Sequence, residues 1–221
     1  MRAAAVALPA LIAPEGARGQ LVDRGTFVLH VDGAEVGTED FTIRREGTGD
    51  AQVTTATGTV DMLDGRTVTT VLRLIGTDMV LNEYSAFVTG PDTLAVRVVR
   101  AGSRLRTRRV ASSGEEERAY RAHASSVVFD EGVAHHYFVL KDLAEGVAVH
   151  ALAPLAEREE PPARLVTGSE TIRLGGERVE TTRIRFDSAE GGGTAWFDGS
   201  GRLVRVRLEG RGFVADRLPG S

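Results

Sequence analysis

The 221-residue chain contains no cysteine. That excludes a disulfide framework, thiolate catalysis, cysteine-based zinc sites and acylation at a lipoprotein cysteine within these residues. Positive charge is not in excess either. The formal net charge is -4, the same sign as nucleic acid and anionic lipid, so nonspecific phosphate binding is disfavoured and no nucleic-acid partner is expected. Proline is scarce, at 7 residues against 26 glycines. Together with abundant threonine and valine, this composition suits short strands joined by tight turns.

Long apolar runs are also missing. Ala3 to Ala13 spans 11 residues, too few to cross a bilayer as a helix. Preceded by Met1-Arg2 and followed by small residues at Ala17-Arg18-Gly19, the run has the layout of a secretory leader. The alternative is a frayed tail or a short helix interrupted at Pro9. Residues 1–19 are therefore expected to be a signal peptide or disordered leader, and residues 20–221 a single exported domain, periplasmic or secreted.

Catalytic signatures are equally sparse. No Gly-x-Ser-x-Gly elbow occurs, and Asp198-Gly199-Ser200-Gly201 reads as a turn. Gly191-Gly192-Gly193 lacks the Lys-Ser/Thr of a phosphate loop. His135-His136 has imidazole chemistry but not the spacing, because neighbours on a helix diverge by about 100° and cannot easily chelate one ion. A packing or surface role is expected for the pair. His123 and His150 could join a site only by tertiary approach. No catalytic residue, metal ligand or cofactor is assigned.

What is present is alternation. The C-terminal ribbon Glu170 to Glu209 reads as two β-hairpins. Ile172 and Leu174 alternate with Arg173 before the Gly175-Gly176 turn, and Val204, Val206 and Leu208 alternate with Arg205 and Arg207. Between Val179 and Phe186 the parity slips, which predicts a bulge near Thr181 and Thr182. At the other end, Thr26 to Val31 turns through Asp32-Gly33 into Val36 to Arg44, with a bulge or close backbone approach at Gly37. Gln52 to Met62 and Arg66 to Ile75 form the next pair around Asp64-Gly65.

Met79 to Val88 has apolar residues in both parities, as does Leu94 to Val99 in part. A sheet greasy on two sides is sandwiched or curled around something apolar. The arginines of Ser103 to Val110 precede the acidic run Glu115 to Glu117, a pattern expected of a solvated hairpin face. From Gly132 to Gly146 the period lengthens to three or four residues through Val133, His136 or Tyr137, Leu140 and Leu143. This predicts one helix over about 133–143, capped by Asp130 and closed by Gly146. Pro154 to Pro162 reads as an exposed loop.

Tyr84, Phe87, Tyr120, Phe129, Tyr137 and Phe138 lie mid-chain on such segments and are the candidate lining of a ligand cavity. The leading Asp-Gly hairpin, the long meander, the inserted helix and the terminal hairpin around Trp196, Asp198, Gly201 and Leu203 resemble a group of uncharacterised exported bacterial proteins of the LolA/LolB-like half-barrel superfamily. The resemblance spans about Thr26 to Leu218. It implies a mainly β fold, a strongly curved antiparallel half-open barrel of roughly a dozen strands with the helix against its concave face. It also implies a function: binding an apolar, lipid-like ligand or a hydrophobic partner segment. A LolB-type receptor is anchored through a lipidated cysteine, which this chain lacks. Two alternatives stand beside this reading, an accessory subunit with a protein partner at the membrane surface, and an enzyme built on a half-barrel.

Overall fold

The computed structural model describes residues 19–188 and 191–221. Of the leader expected over residues 1–19, residues 1–18 lie outside the described residues. Alternating side chains build eight consecutive antiparallel strands, β1 (Gln20–Val31), β2 (Ala34–Glu46), β3 (Val53–Met62), β4 (Thr67–Ile75), β5 (Val80–Thr89), β6 (Leu94–Ala101), β7 (Arg104–Ala111) and β8 (Gly114–Arg121). The chain then leaves the meander. It forms β9 (Ser126–Val128), a 3₁₀ helix (His135–Asp142), β10 (Ala148–Ala153) and the two-residue β11 (Arg158–Glu159). A second meander follows, β12 (Ala163–Leu174), β13 (Glu177–Ser188), β14 (Gly191–Phe197), β15 (Leu203–Leu208) and β16 (Phe213–Arg217).

β16 lies antiparallel against β1, with Phe27 opposite Arg217 and Leu29 opposite Ala215. The two meanders thus fuse into one curved sheet of sixteen strands, more than the dozen expected, running from β11 at one edge to β8 at the other, with β9 parallel to β10. The β1/β16 junction is reinforced by Arg217. This buried guanidinium donates to both carboxylate oxygens of Asp23 at 3.0 and 2.8 Å and to the Leu203 carbonyl at 3.2 Å.

The sheet is not a closed barrel. Its edges meet through side chains instead: Arg109 of β7 and Arg118 of β8 both reach the Glu157 carboxylate, at 2.6 and 2.8 Å, and the Tyr120 hydroxyl donates to the Glu157 carbonyl. Glu157 sits just before β11 with φ of 56°. Among the described residues, no helix is long and apolar enough to cross a membrane.

The helix plugs the concave side. All six residues from His135 to Leu140 are buried, as expected of a helix covered all round. Burial of Tyr137, Phe138, Val139 and Leu140 contributes about 1.5–3 kcal/mol for each large apolar side chain. The element is a 3₁₀ helix rather than an α-helix, and Asp130 does not cap it. The Asp130 carboxylate accepts instead from the Leu155 N–H and the Tyr84 hydroxyl. The capping carboxylate comes from across the core: Glu39 of β2 accepts from the N–H groups of Ala134 and His135 at 2.8 and 3.1 Å.

Two inferences from parity are corrected. The apolar residues on both parities of β5 arise from a bulge, not from a two-sided strand. Leu81 pairs with Leu74 and Glu83 with Arg73, leaving Asn82 extra, so Leu81 and Tyr84 both face inward. In contrast, β12 and β13 pair without interruption from Arg164/Asp187 to Leu174/Glu177, so no bulge interrupts them at Thr181 and Thr182. The parity slip there serves a second small core on the opposite face, in which Ile172, Trp196 and Val204 pack with Leu174 and Val179. The turns follow the expected chemistry. Asp32 and Gly33 both have positive φ, 50° and 82°, and a bulge falls beside Gly37, where a Cβ would lie 2.3 Å from the Asp61 carbonyl oxygen.

Candidate functional site

The interrupting segment between the two meanders supplies the helix and a strap, Pro154 to Pro162. Where the strap crosses the concave side it leaves a cavity of about 210 Å³. The cavity exists because β10, β12 and β14 present Ala151, Ala163 and Gly192 to it instead of large side chains. Three aromatic rings share the lining. Phe129 and Tyr137 stack at 4.0 Å between ring centres and 9° between planes, with Phe186 5.5 Å from Tyr137. Phe186 in turn lies over Gly193, where a Cβ would come within 2.4 Å of its ring.

Charged groups mark the rim. One oxygen of Glu160 accepts from Arg158 at 2.7 Å and from Arg211 at 2.6 Å. The Tyr137 phenol has its pKa raised by burial and, secondarily, by the carboxylates of Glu160, Asp130 and Glu131, so it remains a neutral donor. It has no hydrogen-bond partner among the described residues.

Of the six aromatic candidates, the structure brings Phe129 and Tyr137 to this cavity. Tyr84 and Phe138 are buried in the core but line no part of it. Tyr120 stands at the seam against Glu157. Phe87 is corrected to the outer face, 48% exposed, because the parity set by the β5 bulge turns it away from Tyr84, Ala86 and Val88. The strap Pro154 to Pro162 is likewise not a free loop, since Arg158, Glu160 and Pro161 line the cavity.

A separate polar network lies deep in the core. Glu39 and His135 are both fully buried, with the carboxylate 2.6 Å from Nδ1 of the imidazole. Gly58 makes room for this ring, which also stacks on Phe41 at 5.8 Å. His136 packs edge-on to Tyr84 at 5.4 Å. Burial, and then the neighbouring His135, push its pKa well below the usual imidazole range, so it is neutral. His136 faces the Val128 carbonyl without reaching hydrogen-bond geometry, and Nε2 of His135 is also unpartnered.

Tyr84 donates to Asp130 at 2.6 Å, and burial pushes the Asp130 carboxyl up to about 6. The Tyr84 phenol is itself raised, by burial first and then by Asp130. A carboxylate-oriented imidazole is the arrangement of an acid–base pair. Here both members are sealed from solvent and from the cavity lining, so the network fastens the helix to the sheet.

A third group, His123, His150 and Glu159, assembles at the surface. The two rings stack at 3.6 Å, and ligand atoms of all three residues lie within 4.8 Å of one another. The His150 pKa is lowered by desolvation and by His123 and Arg121, with Glu159 opposing.

Sequence reasoning missed Glu39, although the signal was present. Phe41 and Ile43 set the inward parity of β2, and Glu39 shares it. Glu160 and Arg211 carried no such signal, because only the tertiary path of the strap brings them together. Compared with models of known families, with curated proteins and with solved structures, the chain has no match.

Proposed function

We propose that the protein is a binding protein for a small amphipathic molecule with an apolar body, held in the cavity between the strap, the helix and strands β10 to β15. The observation that carries this reading is a cavity of about 210 Å³ lined by Phe129, Tyr137 and Phe186 with charged residues among its lining, beside the buried helix. The size favours a ring or a short acyl chain. An apolar cavity of about 150 Å³ takes benzene, whereas pockets for drug-sized ligands run to about 300–1,000 Å³. Burial of the apolar body at about 25 cal/mol per Å² supplies the affinity, less the costs of association. The Tyr137 hydroxyl and the Arg158–Glu160–Arg211 group orient the polar end. The reading carries forward the expectation of a LolA/LolB-like carrier working outside the cytoplasm, with a smaller occupant than a full lipid.

The test is calorimetric titration of the delipidated full chain with octanoate and 3-phenylpropionate, beside native mass spectrometry of the protein as purified. Saturable one-to-one binding of either probe, abolished in Ala151→Trp and Ala163→Leu, is the expected result. Absence of binding by both probes to the unmodified chain, or equal binding by folded variants with a filled cavity, overturns it.

A protein-partner reading is favoured by one other observation. Phe87, Ala95 and Val110 stand side by side across β5, β6 and β7 on the outer face, with Phe87 and Val110 48% and 40% exposed. A subunit that docks there would lose its partner on Phe87→Lys while keeping the cavity intact.

A further inference from the structure

We propose that His123, His150 and Glu159 form a binding site for a divalent transition-metal ion, zinc in the first instance, that ties the strap to the connection between β8 and β9. Two imidazoles and a carboxylate are a donor set suited to zinc, and three protein ligands leave a fourth position for water. The three residues come from separate elements. His123 follows β8, one edge of the sheet; Glu159 lies in β11, the other edge; and His150 lies in β10 between β9 and the strap. Backbone pairing already joins β9 to β10, with His150 opposite Ser126; an ion held by all three would add a link from the strap, through Glu159, to the connection between β8 and β9.

The backbones that present these groups are already fixed. The His123 N–H donates to the Ser126 hydroxyl at 2.9 Å, and its carbonyl accepts from Arg100 at 2.6 Å. The His150 N–H donates to the Ser125 carbonyl at 3.2 Å. Glu159 is held opposite Leu152 in the β10/β11 ladder. Its carboxylate has no hydrogen bond or ion pair among the described residues, and it is exposed.

The remaining adjustment is confined to side chains. Donors bound at about 2.0–2.2 Å around a tetrahedral zinc ion stand roughly 3.3 Å apart, and the atoms here lie within 4.8 Å of one another. The two rings are parallel within 3°, so they must splay by rotation about χ2 for their lone pairs to converge on one ion. Arg121 is the cation beside His150 and acts against binding. Its removal should tighten the site.

The experiment uses the full chain, stripped with chelator and titrated with Zn²⁺, and separately with Co²⁺ for its visible d–d bands. The expected result is one Zn²⁺ per chain and a low-symmetry Co²⁺ spectrum. Either His123→Ala or His150→Ala should weaken binding by more than the roughly 10–100-fold typical of changes to outer-shell partners. His30→Ala, on β1, should bind as the unmodified chain does, and Arg121→Ala should bind more tightly. Zn²⁺ should also slow amide exchange in the strap of the unmodified chain and leave His150→Ala unaffected. No saturable Zn²⁺ binding, equal affinity in His150→Ala, or bound Zn²⁺ with unchanged strap exchange each overturns the proposal. These readouts need no ligand in the cavity, so they stand or fall apart from the function proposed above.

Discussion

Replacing Glu39 with alanine removes the carboxylate that fastens the plug helix to the sheet. Three donors then lose their acceptor in a dry interior: the Ala134 and His135 amides and Nδ1 of His135. A buried group left unsatisfied costs about 1–3 kcal/mol, and removing one member of a buried hydrogen-bonded pair about 3–5 kcal/mol. Partial relaxation and entry of water keep the sum near the second figure. For a chain of this size each kcal/mol lowers Tm by about 2–4 °C, so Glu39→Ala should lower it by roughly 6–20 °C.

Glu39→Gln separates geometry from simple deletion. Its carbonyl oxygen can keep both backbone N–H groups, as Oε2 does now, while its amide faces Nδ1 of His135, which must then accept. A cost of about 1 kcal/mol is expected. Urea unfolding at fixed pH, with the slope checked against the unmodified chain, measures both variants. Hydrogen exchange should show residues 134–142 opening first in Glu39→Ala. If Glu39→Ala unfolds at nearly the same urea concentration, with exchange in the helix unaltered, the claim that this carboxylate holds the plug is wrong.

Asp130 predicts an inverted pH dependence. Its folded pKa of about 6 lies above the ordinary 3.8, so the folded state binds the proton more tightly than the unfolded chain. Its contribution to stability therefore falls as pH rises from about 4 to 6, by on the order of 3 kcal/mol; the difference between the unmodified chain and Asp130→Asn in urea midpoints across that range isolates it, and a flat difference refutes it. Gly58→Ala places a Cβ 2.5 Å from Cε1 of a ring pinned by Glu39 and Phe41, and overpacking of this kind should cost about 1–3 kcal/mol in the same assay. Glu157→Gln weakens the seam made with Arg109 and Arg118; these partly exposed, solvent-screened pairs are worth about 1 kcal/mol or less each, so global stability should barely move while amide exchange in residues 154–162 accelerates.

Much of the fold was legible in the chain because strand pairing is written in period-2 alternation and in Asp-Gly and Gly-Gly turns. The hairpins at Asp32-Gly33, Asp64-Gly65 and Gly175-Gly176, and the charge pairing of Arg108 with Glu115, all stand where local chemistry puts them. Parity failed where one extra residue or a second small core changed which face a side chain served, at Asn82 and around Ile172, Val179 and Trp196. A period-2 reading cannot distinguish a bulge from a strand buried on both sides.

By itself the sequence determined an antiparallel, mainly β chain with one helix inserted after the first run of strands, since alternation, turn residues and the change of period are local properties of the chain. Only the tertiary structure decided what occupies the concave side. The helix is buried there, Phe129 and Tyr137 meet Phe186 around a cavity beside it, and Glu39 reaches 95 residues along the chain to Ala134. Likewise His123, His150 and Glu159 converge only because β10 pairs with β9 on one side and with β11 on the other, partners distant in the chain. Such contacts depend on how far the sheet bends, a sum over every strand's twist that no short stretch of residues records.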